Sequence, residues 1–252
     1  MALALCLGIV SVNAETVHIT TPSTSLVLDA EKGQDAKFLY YGNKIGAEEI
    51  EAMKSSGVSW NKAYPSYGMS TVAETALSAV HSDGNMTLDL AVEDVATKKD
   101  KDSEVTTVTL KDKYYPFTVK LNYRTYPGED VIETWTEISH NEKGKVELTQ
   151  FASGYLPIRY GDVWLSSLYG SWANEGRVEE APLLHGMKVI KNKDGARNSH
   201  TSHAEVMLSL DGKAKENSGR VIGAALACSG NYKLRFDTDD SNYHHFFAGI
   251  NE

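Results

Sequence analysis

The sequence predicts an all-β protein folded as one large antiparallel sandwich. Beyond residue 14, apolar and polar side chains alternate with a period of two, which is typical of strands with one wet face. Clusters of glycine, asparagine, aspartate and proline separate these segments at the spacing of an antiparallel sandwich. All-β sandwiches of about this length commonly form a single domain, so we expect one domain in the 252-residue chain.

Four segments show the alternation most clearly, and in each of them the apolar side chains fall on one face. In chain order these predicted strands are residues 86–92, 105–110, 117–123 and 131–138. The predicted turns are residues 83–85, 127–130, 141–144 and 211–212. These strands therefore present one face to a core and the other to water.

One short helix is predicted over residues 47–56. The segment contains Ile50, Met53 and several glutamates, its residues favour helix, and Gly57 provides an end. The charged run 97–103 is predicted to be a solvated hairpin tip rather than a binding site.

The first 14 residues are interpreted as a secretory signal peptide. An apolar run over residues 2–10 precedes a small-residue cleavage site at 12–14, and because a basic region is missing we expect the true start to lie upstream. The protein is therefore expected to be secreted or periplasmic. Cleavage leaves only Cys228, so no internal disulfide is expected, and Cys228 is predicted to be a small buried residue in a strand at 222–228. No other run is apolar enough to span a membrane, so no membrane partner is expected.

The charge and the aromatic content bear on the ligand. A formal net charge of -9 and the absence of a basic cluster exclude a nucleic-acid partner. The thirteen tyrosines and four tryptophans combine apolar rings with polar tips. That composition is compatible with a neutral sugar.

The densest polar and aromatic chemistry lies at residues 166–177, which read Ser-Ser-Leu-Tyr-Gly-Ser-Trp-Ala-Asn-Glu-Gly-Arg. A loop of this kind usually binds a ligand. Further segments rich in glycine, aromatic or small polar residues are 39–42, 64–68, 151–157, 199–203, 217–223, 228–232 and 247–251. In this order and spacing, the segments resemble the amino-terminal domain of glycoside hydrolase family 36, the α-galactosidase family.

The resemblance implies a β-supersandwich of the galactose mutarotase-like type, with residues 15–252 as one domain that lacks its last strands. In the family, this domain precedes a (β/α)8 barrel that carries both catalytic aspartates. The sequence reaches Glu252 before any barrel, so we expect no catalytic residue, no metal and no cofactor in this chain. The parent enzyme would be a secreted, retaining α-galactosidase. Its expected partners are an α-galactoside oligosaccharide, the catalytic barrel of the parent chain and further copies in a homo-oligomer.

Trp172 is the one predicted substrate-binding residue. An indole face stacks on the apolar face of a pyranose, and the resemblance places this tryptophan at the substrate site. The alternative is that Trp172 fills an interface between sandwich and barrel. Glu175 and Arg177 either brace the loop by an ion pair or reach substrate hydroxyls, whereas Asn174 departs from the family pattern. The family also uses a carboxylate before the segment 64–68, and none of the glutamates at 48, 49 and 51 matches that role.

Two other functions stay open. A stand-alone carbohydrate-binding module would use Trp172 and nearby tyrosines without chemistry. A mutarotase-like enzyme would use His200 or His203 as an acid or base with Glu175. A metal site at these two histidines is disfavoured, because no third ligand has a suitable spacing. His244 and His245 are adjacent in a predicted strand and point to opposite faces.

Overall fold

The computed structural model describes residues 10–11, 16–57, 61–69, 74–159, 161–197 and 200–251. Within them, antiparallel strands and one short helix make up the regular structure, which confirms the all-β prediction. The strands are β1 Val10–Ser11, β2 Thr16–Thr20, β3 Thr24–Asp29, β4 Lys37–Asn43, β5 Leu77–Val80, β6 Leu90–Lys99, β7 Glu104–Asp112, β8 Phe117–Thr125, β9 Ile132–His140, β10 Glu147–Phe151, β11 Gly154–Arg159, β12 Trp164–Tyr169, β13 Arg177–Pro182, β14 Gly186–Asn192, β15 Ser202–Lys215, β16 Ser218–Ala225, β17 Tyr232–Thr238 and β18 Tyr243–Ile250.

The chain divides into two compact units. The first unit comprises Met1–Thr71 and Leu77–Gln150, and the second comprises Val72–Ala76 and Phe151–Glu252. Most of the predicted signal peptide lies outside the described residues, although Val10 and Ser11 pair with β6. The predicted boundaries, 1–14 and 15–252, stay predictions.

The first unit contains sheets ordered β1-β6-β7-β8-β9, β2-β3-β4 and β10-β5. Three of the four predicted strands are confirmed as β7, β8 and β9, which pair in succession as a meander. Their apolar alternation produces the buried series Val108, Leu110, Val119 and Leu121. The hairpin tip predicted at 97–103 is found over 100–103, since β6 continues to Lys99, which pairs with Glu104, and Asp100 N donates to Ser103 O over 2.8 Å.

The predicted strand at 86–92 is wrong over its first half, because β6 begins only at Leu90. The backbone before Leu90 bonds to a loop and to a side chain instead of to the backbone of a neighbouring strand. Leu88 N donates to Tyr67 O over 2.9 Å, and Asp89 N donates to an oxygen of the Asp112 carboxylate over 2.6 Å. Leu88 is fully buried, so its apolar character reflects packing rather than strand geometry.

The helix prediction is confirmed by α1, Ala47–Ser55. Glu49 accepts the otherwise unpaired Gly46 N–H over 2.9 Å, which satisfies one backbone donor at the helix start. Ile50 is buried, and Gly57 follows the helix with a φ of 67°. Of the described residues, no helix is long and apolar enough to cross a membrane.

Asp130 lies in the β8–β9 connection, and its contribution to stability depends on pH. Its carboxylate accepts hydrogen bonds from the Ser23 and Thr21 hydroxyls, which lower its pKa from 3.8 to about 2. Because the folded-state pKa lies below the unfolded one, this contribution is complete above about pH 4 and disappears as the pH falls through about 2. We therefore expect the difference in melting temperature between wild type and Asp130→Asn to be largest near neutral pH and to vanish near pH 2. An Asp130 carboxyl that titrates at its ordinary pKa by NMR would contradict this.

The second unit contains two four-stranded sheets, ordered β11-β18-β17-β14 and β13-β12-β15-β16. Buried side chains from both sheets form one apolar cluster, so this unit is a sandwich. Its members include Leu165, Val206, Leu208, Tyr232, Leu234, Phe236 and Phe246. The Phe236 and Phe246 rings stack with centroids 4.9 Å apart.

Cys228 differs from its prediction in two respects. Strand β16 ends at Ala225, and Cys228 is half-buried in the turn that follows. Leu226 N still donates to Ala204 O of β15 over 3.0 Å, but Cys228 N turns back to Leu226 O over 2.8 Å, which takes Cys228 out of the ladder. Its sulfur also accepts from Gly230 N at 3.4 Å.

Arg235 connects residues 74 and 75 to the strands of the second unit. Its side chain lies on β17 and is only 7% exposed. Nη2 donates to Thr75 O over 2.7 Å, Nη1 lies 3.5 Å from a Glu74 carboxylate oxygen, and the guanidinium covers the Phe247 ring at 4.1 Å. Burial lowers the pKa of this guanidinium from its usual value. Glu74 and Thr75 therefore belong to this packing although they lie far away in sequence.

Candidate functional site: the Trp172 loop

The Trp172 loop, residues 170–176, connects β12 to β13 and carries the predicted substrate-binding residue. It closes on itself through two backbone hydrogen bonds. Asn174 N donates to Ser171 O over 2.9 Å, and Ser171 N donates to Asn174 O over 3.3 Å. Ala173 and Gly176 have positive φ values of 59° and 72°, which make the tight reversal.

Gly170 is required by the close approach of the two ends of the loop. A Cβ atom at this position would lie 2.6 Å from Glu175 Cα and 2.7 Å from Asn174 O, both backbone atoms. Gly170 N also donates to Thr201 O over 3.2 Å. This bond brings two of the sequence segments, 166–177 and 199–203, to one place, as far as the second segment is described.

Trp172 stands at the outer end of this loop with 81% of its surface exposed. Most tryptophans in folded proteins are largely buried, so such an exposed indole on a braced loop is unusual. Within the part of the chain that the structure describes, nothing covers the ring. The role of Trp172 in substrate binding stays a prediction.

The side-chain contacts that hold the Trp172 loop differ from the predicted Glu175–Arg177 ion pair. Arg177 Nε donates to Asn174 Oδ1 over 2.8 Å rather than to Glu175. Glu175 Oε1 accepts the Ala173 N–H over 3.0 Å and lies 3.5 Å from His200 Nε2. Asn174, for which no role was predicted, therefore holds the arginine, and Glu175 links the backbone beside Trp172 to His200.

The two histidines of the 199–203 segment lie against different carboxylates. His200 is near Glu175, whereas His203 Nδ1 lies 3.6 Å from Glu205 Oε2. Ser199 lies outside the described residues. The His200–Glu175 contact links the Trp172 loop to the 199–203 segment, as a brace would. The mutarotase alternative stays a prediction.

His244 and His245 have separate partners, as expected for adjacent strand residues. His244 Nδ1 lies 2.8 Å from Thr238 Oγ1, whereas His245 lies between Tyr155 and Asp239. Burial raises the pKa of Tyr155, so its hydroxyl keeps its proton and donates to His245 Nδ1 over 2.8 Å.

The Tyr155–His245–Asp239 chain was not found by sequence analysis. His245 Nε2 lies 3.2 Å from Asp239 Oδ2. Burial opposes ionisation of Asp239, but hydrogen bonds from Tyr243 N and His245 outweigh it and lower the carboxyl pKa. Its members are far apart in sequence, and only Tyr155 belongs to one of the recognised segments. The chain fixes β11 to β18 and to the turn that precedes β18.

Three of the other recognised segments make contacts within the fold. Asn251 N donates to Asn231 O over 3.2 Å, which joins the segments 228–232 and 247–251. In the first unit, Ser66 Oγ donates to Leu88 O over 3.0 Å, and Gly68 has a φ of 92° where a Cβ would strike Thr87. These contacts give the three segments a structural role that requires no ligand.

The chain is similar to alpha-galactosidases by family model, by sequence and by structure. The family model described as the glycosyl hydrolase family 36 N-terminal domain matches residues 34–252. Alpha-galactosidase Mel36A of Lactobacillus acidophilus is 31% identical over 156 residues, which are 62% of this chain and 21% of that protein. The bifunctional alpha-galactosidase/sucrose kinase AgaSK of Mediterraneibacter gnavus is 24% identical over 203 residues, 75% of this chain and 22% of that protein.

Solved structures show the same fold. The alpha-galactosidase from Lactobacillus brevis superposes with a TM-score of 0.83 at 22% identity, covering 96% of this chain and 37% of that one. A variant of the GH36 alpha-galactosidase AgaA from Geobacillus stearothermophilus, in complex with raffinose, superposes with a TM-score of 0.82 at 20% identity. The match covers 94% of this chain and 37% of that one. The chain spans about a fifth of the length of the two curated relatives, Mel36A and AgaSK.

Proposed function

This chain belongs to the family of glycosyl hydrolase family 36 N-terminal domains, and we therefore propose that it is the non-catalytic amino-terminal domain of a secreted α-galactosidase. In this proposal the parent protein hydrolyses terminal α-D-galactosyl residues from oligosaccharides. The domain shapes the substrate pocket, and the catalytic barrel of the parent chain is its principal partner. The names of the relatives, which are alpha-galactosidases, support the enzyme class.

The observation that carries the pocket-shaping role is the exposed indole of Trp172. Its ring stands on a loop held by Gly170, by the Asn174–Arg177 hydrogen bond and by the Glu175–His200 contact. Galactose presents a continuous patch of C–H groups on one face, and an aromatic ring complements such a patch. The raffinose complex of AgaA supports a galactoside as the ligand class.

The proposed chemistry follows the retaining route, in which one carboxylate attacks the anomeric carbon and a second protonates the leaving oxygen and then activates water. The barrel would supply both carboxylates. The residues described here would orient the sugar and limit access of water to it. On this account, the chain by itself does not turn over substrate.

Subunit contacts are a further part of the proposal. On β15, Val206 and Leu208 enter the apolar cluster, so Met207 between them faces the other side of the sheet. Met207, Val178 and Val221 are all exposed. An exposed apolar group on a sheet face supports contact with another copy of the protein.

The test compares hydrolysis of nitrophenyl α-galactoside by this chain with hydrolysis by a longer chain that carries a catalytic barrel after residue 252. We expect activity only in the longer chain. Turnover by the short chain would contradict the assignment of catalysis to the barrel. The exposure of Trp172 also favours a stand-alone carbohydrate-binding module. That function would be supported by galactoside binding to the short chain together with inactivity of both chains.

A further inference from the structure

The first unit contains a cavity of about 280 Å³ that no recognised sequence segment predicted. Three connections line it: the β2–β3 turn, the tip of the β6–β7 hairpin and the β8–β9 turn. Lys44, just after β4, completes the wall. All of these residues belong to the first unit, whereas Trp172 belongs to the second.

The charges that line this cavity balance. Two lysines, Lys44 and Lys99, face two carboxylates, Asp100 and Glu104. Lys99 Nζ already pairs with Glu104 over 2.6 Å, and Lys44 Nζ donates to Thr21 O over 3.1 Å. With two positive and two negative side chains, the lining has no net charge to attract a phosphate or sulfate, so it favours a neutral ligand.

Several polar groups that line the cavity have no protein partner among the described residues and are open to water. They are the hydroxyls of Thr20, Ser103 and Thr125 and the carboxylate of Asp100. Hydroxyls both donate and accept, and an ionised carboxylate accepts only. A ligand with several hydroxyl groups of its own can replace the water around all four.

Tyr126 supplies an apolar surface beside these polar groups. Its hydroxyl donates to Glu133 Oε2 over 2.8 Å, and the same carboxylate binds Arg124 Nη1 over 2.8 Å, so the ring is held in place. Pro22 and Pro127 extend the apolar part of the lining. A fixed aromatic ring together with unpartnered hydroxyls and a carboxylate suits the amphipathic surface of a pyranose.

We propose that this cavity binds one neutral sugar unit of an oligosaccharide and is a second saccharide site, separate from Trp172. Asp100 and Ser103 would bind sugar hydroxyls, and Tyr126 would contact the C–H face. The site needs neither Trp172 nor a catalytic barrel, so it goes beyond the function proposed above and can fail independently of it.

The test is a titration of the Trp172→Ala chain with raffinose, a neutral trisaccharide, followed by amide NMR. We expect saturable shifts at residues 20, 21, 99–104, 125, 126 and 128. Asp100→Ala in the same background should weaken this binding by about tenfold, since a hydrogen bond to a charged group is lost. Asp102→Ala is the matched control: it removes the same charge from the same exposed tip but does not line the cavity.

The proposal is overturned if raffinose causes no saturable shift in the Trp172→Ala chain, if Asp100→Ala and Asp102→Ala weaken binding equally, or if inorganic phosphate shifts these amides and raffinose does not. The proposed function is read separately, from hydrolysis of nitrophenyl α-galactoside by the longer chain that carries a catalytic barrel. Loss of the raffinose shifts with hydrolysis retained shows that only the second site fails, and the reverse shows that only the proposed function fails.

Discussion

Trp172→Ala is expected to weaken the binding of α-galactosides to the Trp172 loop by about tenfold or more, because truncating a central aromatic contact typically costs more than about 1.4 kcal/mol. The same change should move the free energy of unfolding by no more than about 0.5 kcal/mol, since the indole is 81% exposed and contributes little packing. Binding followed at the amides of the loop, together with urea unfolding, measures both quantities on one sample.

Two variants make this result specific to Trp172. Trp172→Tyr keeps an aromatic face and should retain most of the affinity. Tyr114→Ala removes another exposed ring, 76% accessible and in the first unit, and should leave binding at the loop unchanged. Equal losses in Trp172→Ala and Tyr114→Ala would show that the loop is not the binding surface.

Phe236→Ala is expected to lower the free energy of unfolding by about 3 to 5 kcal/mol, the cost typical of a large cavity in an apolar core. The ring is 2% exposed, lies on the interior strand β17 and stacks on Phe246. Few neighbours can collapse into the space, because they belong to two paired sheets. A loss of this size consumes much of the stability of a typical domain.

The control for Phe236 is a large apolar residue of the same unit that lies on the surface. Leu184 is 74% exposed, and Leu184→Ala should change the free energy of unfolding by about 0.5 kcal/mol or less. Phe236→Leu, which keeps most of the volume, should cost about 1.5 kcal/mol or less. Denaturant unfolding of the full chain orders the three variants. A Phe236→Ala midpoint equal to that of Leu184→Ala would contradict the position of the core.

Sequence alternation predicted the strands best where each strand pairs with its sequence neighbour. Strands β7, β8 and β9 form such a meander, and their buried faces follow directly from the pattern. Prediction failed at Leu88 and Cys228, where apolar residues are covered or half-covered outside a strand. The apolar pattern in the sequence shows which side chains are buried. It does not show whether a sheet or a loop covers them.

The candidate site was predicted in part. Residues 166–177 and 199–203 were both identified, and the structure brings their described parts together through Gly170 and Thr201. The pairing of Arg177 with Asn174 was missed, because a side-chain amide and a carboxylate look equally suitable in sequence. The first-unit cavity was missed for a different reason, since its three connections are separated along the chain and each alone reads as an ordinary turn.

The contact of Arg235 with Glu74 and Thr75 determines where the second unit can be cut. A gene fragment that encoded only residues 151–252 would supply the arginine without the carbonyl and carboxylate that receive it. A buried charge that loses its partners typically costs about 3 to 5 kcal/mol. A fragment that begins at residue 151 should therefore be less stable than the same unit within the full chain, where residues 74–76 are present.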